Sequence, residues 1–162
     1  MRCVVMLQRR FRPSDIRYSQ DSIRSHFSND EPIVDLFRQL LEEEIHVDDV
    51  PEIEVVRFDA KWWALTGNRR LFCFKNFEEC RVAGSVTIPV KIKDMYNDKA
   101  TQSQFLQKFT TLSEGTSVVV RDNHLLETEF ENIRVCKMKR DHEFTSLHEF
   151  AVSNCESFDN QL

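Results

Sequence analysis

Two adjacent arginines beside a glycine are the residues of this chain whose spacing points most directly to binding chemistry. Residues 61–75 read KWWALTGNRRLFCFK. The first of these are typical of a short buried strand, the Thr-Gly-Asn triplet breaks the strand, and a helix begins near Arg69. The N–H groups at a helix start carry partial positive charge, and glycine lets a ligand approach closely. We therefore expect backbone donors from Gly67 and Asn68, with charge from Arg69 and Arg70, to bind a phosphate or polyphosphate.

The same residues also have an ordinary structural interpretation. Gly-Asn is a common turn pair, and an arginine at the start of a helix often only faces water. Short motifs of this kind occur frequently without a ligand. The binding hypothesis therefore depends on the segments around residues 67–70, hereafter the 67–70 turn.

Four segments, in chain order, resemble the core of the ParB/sulfiredoxin superfamily. Residues 67–71 read GNRRL, and the corresponding turn of ParB proteins reads Gly-Glu-Arg-Arg before an apolar helix. Residues 51–55 (PEIEV) resemble the family's Pro-Ile-x-Val strand, residues 16–23 (IRYSQDSI) its N-terminal segment and first helix, and residues 88–92 (IPVKI) its closing strand. The resemblance covers about residues 10–94, and it implies an α/β (or α+β) fold with a small mixed sheet flanked by helices.

The resemblance implies nucleotide binding at Gly67, Asn68, Arg69 and Arg70, with Arg17 as a further phosphate contact. ParB proteins bind and hydrolyse CTP, and the acidic residue of their turn helps to hold magnesium. Asparagine takes that position here, and a neutral amide is a weaker ligand for a hard cation. The resemblance implies ATP or CTP with Mg²⁺ as the ligand, and the asparagine implies that hydrolysis is slow. Slow hydrolysis or phosphotransfer stays open, so the sequence does not decide whether the chain is an enzyme.

Two enzymatic branches of the superfamily fit the sequence less well. The sulfiredoxin motif resembles Gly-Gly-Cys-His-Arg, and Asn68 replaces its reacting cysteine, so sulfiredoxin activity is not expected. Cys73 lies one helical turn further on among phenylalanines, where burial raises a thiol's pKa and makes it inert. A kinase needs a carboxylate base near the terminal phosphate. The candidates are Asp15, Asp21 and Asp30, and nothing singles one of them out.

A non-catalytic protein-interaction module is the competing class of function. In that case the arginines bind a partner's carboxylates or nothing, and the C-terminal part of the chain carries the interface. Such a module should expose a large apolar patch on that part. A nucleotide-binding protein should instead show an open basic cleft at the turn, with Arg17 or Arg12 facing Arg69 or Arg70.

Composition indicates one folded domain with an extension. The 162 residues include 13 Phe and 2 Trp but only 3 Gly and 4 Pro, which argues against a disordered chain. We divide the chain into a ParB/sulfiredoxin-like domain, residues 1–97, and a C-terminal extension, residues 98–162, packed on it and ending in a polar tail. No apolar run approaches the ~20 residues that span a bilayer, so no membrane contact is expected. The odd number of cysteines, without paired metal spacing, indicates a reducing intracellular compartment, cytoplasmic or nuclear, and no metal site.

Charge is distributed unevenly along the chain, whose net charge is −5. Residues 1–27 carry +4, residues 28–59 carry −9 and residues 60–98 carry +3. We expect the two basic blocks to converge on one anionic ligand and the acidic block to form the solvated back. Because phosphate contacts dominate duplex binding, specific DNA binding by this acidic chain is not expected.

Apolar spacing predicts the remaining elements. We expect a first strand at residues 4–7, a helix capped by Ser19 with Ile23 and Phe27 on one face, and an edge strand containing Pro89. A second helix buries one stripe of side chains, namely Ile33, Val34, Phe37, Leu40 and Leu41.

The extension is predicted to contain a helix and a β-hairpin. Phe105, Leu106, Phe109 and Leu112 suggest the helix. The β-rich residues 116–121 are expected to pair with residues 130–135 through a turn at Asp122-Asn123, and a weak helical signal follows around Leu147 and Phe150.

Overall fold

The structure is a computed structural model that describes the backbone of residues 9–156, with the side chains of residues 9–142 and Thr145. The described helices are α1 (Ile33–Leu41), α2 (Asn68–Glu79), α3 (Lys99–Lys108) and α4 (Leu126–Glu156). The strands are β1 (Arg9–Phe11), β2 (Ile16–Arg17), β3 (Ser22–Ile23), β4 (Ile53–Phe58), β5 (Lys61–Ala64), β6 (Ile88–Lys93) and β7 (Val119–Val120). The expected mixed α/β class is confirmed. The strand predicted at residues 4–7 and the tail beyond residue 156 lie outside the described residues.

Five of the strands form one mixed sheet in the order β1-β6-β4-β5-β2. Strands β4 and β5 form an antiparallel hairpin, whereas β6 runs parallel to β4 and β2 runs parallel to β5. The hairpin turns at Asp59 and Ala60, and both residues have positive φ. Because side chains alternate along a strand, consecutive residues within β4 face opposite sides of the sheet, and the same holds within β5.

The predicted edge position of Pro89 is wrong, because β6 lies between β1 and β4. Proline has no N–H to donate, so it is poorly suited to a strand that is paired on both sides. The register resolves the conflict. Pairing of β6 with β4 begins only at Val90, opposite Ile53, and Pro89 lies alongside β1 alone, opposite Arg10.

The main core lies between the sheet and the helices α1, α2 and the first turns of α4. The five apolar residues predicted to form the buried stripe of α1 are all buried, which confirms that prediction. Helix α4 contributes Leu126 and Phe130 to the same core, and the ring of Phe130 stacks on Phe37 with centroids 4.3 Å apart. The first turns of α4 therefore share one hydrophobic core with α1 and α2.

A smaller core covers the other face of the sheet. It contains Val56, Trp63, Leu65, Met95 and Phe105, so it joins the β4–β5 hairpin to α3. Trp63 is buried, and its neighbour Trp62 is half-buried against the main core. The two tryptophans therefore face opposite sides of the sheet.

The helix predicted from Ser19 to Phe27 is wrong. Residues 22–23 form β3 instead, which pairs in parallel with β7. The carbonyl of Ser19 accepts hydrogen bonds from the N–H groups of Thr110 and Thr111, and the N–H of Tyr18 donates to the carbonyl of Gly115. A chain segment 90 residues away therefore supplies the backbone partners that a local helix would have supplied.

The hairpin predicted within the extension is also wrong. Of its first arm only residues 119–120 form a strand, and the intended second arm lies within α4. The Asn123 side chain accepts a hydrogen bond from the N–H of Leu125 just before this helix begins. Leu126, Phe130 and Ile133 then recur at helical spacing toward the core, which satisfies the apolar pattern without a strand.

Two other predictions for the extension hold. The predicted helix at Phe105 forms as α3, although Leu112 lies beyond its end and is exposed. The backbone around Leu147 and Phe150 is helical, as expected. Among the helices of residues 9–156, none combines the length and the apolar character that crossing a bilayer requires.

Candidate functional site

The 67–70 turn forms as the sequence predicts. Strand β5 ends at Ala64, and α2 begins at Asn68 directly after Gly67, whose φ is +81°. A Cβ at Gly67 would lie 3.1 Å from Nη2 of Arg70 and 3.2 Å from Cγ1 of Ile53. The left-handed backbone favours glycine, and a side chain here would also force Arg70 or Ile53 to shift by a few tenths of an ångström. Because glycine has no side chain, it cannot cap the first N–H groups of α2.

An open cleft of about 550 Å³ lies in front of this turn. Besides the turn itself, its walls include Gln20, the loop residues Phe27, Ser28 and Asn29, and Lys108 at the end of α3. Three cationic side chains line the cleft: Arg69, Arg70 and Lys108. Among the described residues that line it there is no carboxylate. The cleft therefore combines a helix N-terminus with three positive charges, an arrangement suited to an anion.

Arg69 connects the turn to the loop that forms one wall of the cleft. One guanidinium nitrogen donates to the carbonyl of His26, and a second lies 3.5 Å from Oγ of Ser28. The guanidinium also lies over the ring of Phe27, with Cζ 5.9 Å from its centroid. Arg69 thus holds residues 26–28 in position while it lines the cleft.

Arg70 is held from the other side of the turn. Its Nη1 donates to the carbonyl of Pro51 and, at 2.9 Å, to that of Glu52. Burial lowers the pKa of its guanidinium, with a smaller lowering from Arg69 and an opposing effect from Glu54. An arginine stays protonated under such a shift, so Arg70 contributes a fixed and partly desolvated positive charge.

The Asn68 side chain is buried, and both ends of its amide form hydrogen bonds with Ser19. Its Oδ1 accepts the N–H of Ser19 at 3.1 Å, and its Nδ2 donates to Oγ of Ser19 at 3.1 Å. The amide oxygen considered above as a magnesium ligand is therefore already engaged. Within the described part of the chain, no group of three or more His, Cys, Asp or Glu side chains could hold a metal ion.

Arg17 does not reach the cleft, contrary to the sequence-based expectation. Pairing of β2 with β5 places it opposite Trp63, with its Cζ 5.9 Å from the tryptophan ring. Its Nη1 donates to the carbonyl of Glu114 at 2.6 Å. Arg12, the other candidate, pairs with Asp15 at 3.1 Å. These two arginines are used within the fold, so neither brings its charge to the turn. Arg24 of the same basic block lines a neighbouring depression that shares Arg69 with the cleft.

Three residues of the cleft were not predicted as site residues: Lys108, Phe27 and Ser28. Lys108 lies about 40 residues beyond the turn, and its Nζ is 3.5 Å from the carbonyl of Leu65. Phe27 had been assigned to the face of a helix that does not form. None of the three residues belongs to a motif, so only the tertiary structure brings them to the turn.

No protein-family model matches the chain, and no curated protein is similar to it in sequence. The ParB/sulfiredoxin resemblance therefore stays a prediction, which rests on the four segments quoted above.

Proposed function

We propose that the chain binds the polyphosphate of a nucleotide in the cleft at the 67–70 turn, with ATP and CTP as the expected ligands. The observation that carries this proposal is the composition of the cleft. Its described walls contain the N-terminus of a 12-residue helix and three cationic side chains, but no carboxylate. Charge-assisted hydrogen bonds to phosphate oxygens are stronger than neutral ones, and a helix start adds favourable backbone donors.

The cleft supports binding more directly than it supports a reaction. Phosphotransfer or hydrolysis needs a group that accepts a proton from the attacking hydroxyl or water. None of the three carboxylates considered for this role belongs to the described cleft walls. Asp15 pairs with Arg12, Asp21 accepts a hydrogen bond from Oγ1 of Thr110, and Asp30 lines a neighbouring depression that shares Arg69 with the cleft. Binding is accordingly the function that we propose, and slow turnover of the nucleotide is a secondary question for the same assay.

Calorimetric titration with ATP and with CTP, each with and without Mg²⁺, tests the proposal. We expect saturable binding that Arg69→Ala and Lys108→Ala each weaken roughly tenfold or more, since a charge-assisted contact is worth about 1.5–3 kcal/mol. Arg9→Ala is the matched control, because it removes one exposed positive charge from β1, at the opposite edge of the sheet from β2. Absence of binding to either nucleotide by the folded protein, or equal weakening by Arg9→Ala, would contradict the proposal.

A specific observation also favours the interaction-module alternative. Five apolar residues after residue 98 are each more than half exposed: Leu106, Leu112, Val119, Leu125 and Met138. Exposed apolar side chains mark a site for a protein partner where they form one contiguous patch, which is the arrangement that this alternative requires. In this alternative the double variant Leu112→Glu/Leu125→Glu no longer binds the partner protein, whereas Arg69→Ala still binds it. The nucleotide proposal predicts that the leucine variants retain normal ATP or CTP affinity.

A further inference from the structure

A second cavity of about 520 Å³ adjoins the cleft at the 67–70 turn. The two share three wall residues, Phe27, Asn29 and Arg70, so they adjoin each other at these side chains. The second cavity extends from Phe27 along the exposed side of α1, where Leu36 is half-buried. Its volume lies within the range of about 300–1,000 Å³ that is typical of small-molecule sites.

The chemical character of the second cavity is opposite to that of the cleft. Half of its wall residues are apolar, namely Phe27, Pro32, Leu36, Ile45, Val50 and Pro51. Its charged side chains are acidic, apart from the Arg70 that it shares with the cleft. A phosphate would be repelled here and attracted at the turn, which gives an elongated ligand one direction of binding.

The carboxylates of the second cavity differ in availability. Asp35 accepts a hydrogen bond from Arg38 at 2.7 Å, and Asp49 accepts one from the N–H of His46 at 2.8 Å. Glu31 is exposed, and its carboxylate makes no hydrogen bond or ion pair with any residue that the structure describes. Glu31 is therefore an acceptor that remains open to a ligand's N–H or O–H groups.

Arg70 lies at the boundary between the two cavities. Its guanidinium is anchored on the carbonyls of Pro51 and Glu52, so its position does not depend on a ligand. The fixed charge separates a basic compartment, which contains Arg69 and Lys108, from an apolar compartment with acidic groups. A molecule with an anionic end and an uncharged aromatic end that donates hydrogen bonds matches this division.

We propose, building on the function proposed above, that the second cavity holds the nucleoside part of the ligand whose phosphates lie at the 67–70 turn. The base packs against Phe27 and Leu36. Glu31 accepts hydrogen bonds from the ribose hydroxyls or from an amino group of the base. The order of the two compartments fixes the orientation of the nucleotide, because the acidic second cavity excludes the triphosphate.

Titrations with a nucleotide and with inorganic tripolyphosphate separate this inference from the proposed function. Tripolyphosphate carries the charged end alone, so it probes the turn without the second cavity. We expect ATP or CTP to bind roughly tenfold more tightly than tripolyphosphate, and Leu36→Glu to remove that advantage while tripolyphosphate affinity stays unchanged. Glu31→Gln replaces an exposed side chain and should weaken nucleotide binding about threefold to tenfold, again without weakening tripolyphosphate binding.

Matched controls are available on the same surface elements. Glu44→Gln removes an exposed acid that follows α1 and lies outside both cavities, and Leu106→Glu adds a charge on α3. Neither control should change either affinity. Equal affinities for nucleotide and tripolyphosphate, or equal effects of Glu31→Gln on both, would overturn the inference and leave phosphate binding at the turn intact. Failure of both ligands to bind would instead overturn the proposed function itself, and this inference with it.

Discussion

The side chain of Asn68 forms two hydrogen bonds with Ser19, one to its N–H and one to its hydroxyl, both at 3.1 Å. Both residues are buried, and 49 positions of sequence separate them. The pair joins the first residue of α2 to the segment between β2 and β3. It holds the 67–70 turn in register with the N-terminal part of the chain.

Replacing Asn68 by alanine should destabilise the protein by about 1–3 kcal/mol, because the buried N–H of Ser19 loses its partner. Urea denaturation monitored by circular dichroism measures the change. Asn132→Ala, an exposed position on α4, serves as the control and should stay within about 0.5 kcal/mol of wild type. A loss at Asn68 no larger than that at Asn132 would show that the pair contributes nothing to stability.

Gly115 and Gly84 offer a comparison between two glycines with similar backbone angles, φ of +72° and +76°. A Cβ at Gly115 would lie 2.5 Å from the carbonyl oxygen of Tyr18 and 2.5 Å from Cζ3 of Trp63, whereas no described atom lies within 4 Å of one at Gly84. Gly84→Ala should cost about 1–2 kcal/mol from backbone strain alone. Gly115→Ala should cost about 1–3 kcal/mol more, because overpacking adds to the strain. Equal losses in thermal or urea unfolding would contradict the packing of residues 113–115 on β2 and β5.

The sequence predicted the elements whose apolar periodicity is self-contained. The stripe of α1 from Ile33 to Leu41 and the strand-turn-helix around Gly67 fall in this group, because local spacing and one left-handed residue define them. Ser19 illustrates the limit: its side chain is a good helix cap, yet Asn68, Thr110 and Thr111 take its backbone groups from distant positions. A propensity argument cannot anticipate partners that lie 49 or 91 residues away.

Only part of the candidate site was predicted from the sequence. The turn contributes adjacent residues, so its motif is visible in the sequence. Lys108 and Phe27 arrive through α3 and through a loop held by Arg69, and neither carries a local signal. Arg17 was assigned to the site by analogy, but the register of β2 against β5 places it opposite Trp63.

Phe130→Ala tests whether α4 belongs to the main core. The ring is fully buried, stacks on Phe37 and contacts Phe72 edge-on, with centroids 5.4 Å apart. Its removal should lower the free energy of unfolding by about 3–5 kcal/mol, a large share of a typical domain's stability. Met138→Ala, exposed on the same helix, should have little effect. Hydrogen exchange should also accelerate across residues 126–137 in the Phe130 variant, and unchanged exchange there would argue against the docking of α4.

Cys73 should be chemically inert in the folded protein. Its thiol is fully buried and donates to the carbonyl of Ile33 at 3.2 Å, and burial raises its pKa far above that of a free thiol. Little thiolate is therefore present at pH 8, and alkylating reagents have no access. Peptide mapping after iodoacetamide treatment should find exposed Cys136 modified and Cys73 unmodified until the chain is unfolded. Similar modification rates for the two thiols in the native protein would refute the burial of Cys73.

Nuclear magnetic resonance of the ¹⁵N-labelled protein during titration with ATP or CTP tests phosphate binding at the turn most directly. The backbone amides of Asn68, Arg69 and Arg70 should shift saturably, since they are the donors at the start of α2, and the amides of residues 90–93 in β6 should stay in place. The same titration of Lys108→Ala should need about ten times more ligand for the same shifts. Shifts that are absent at these three amides, or confined to another surface while the protein stays folded, would contradict nucleotide binding at the 67–70 turn.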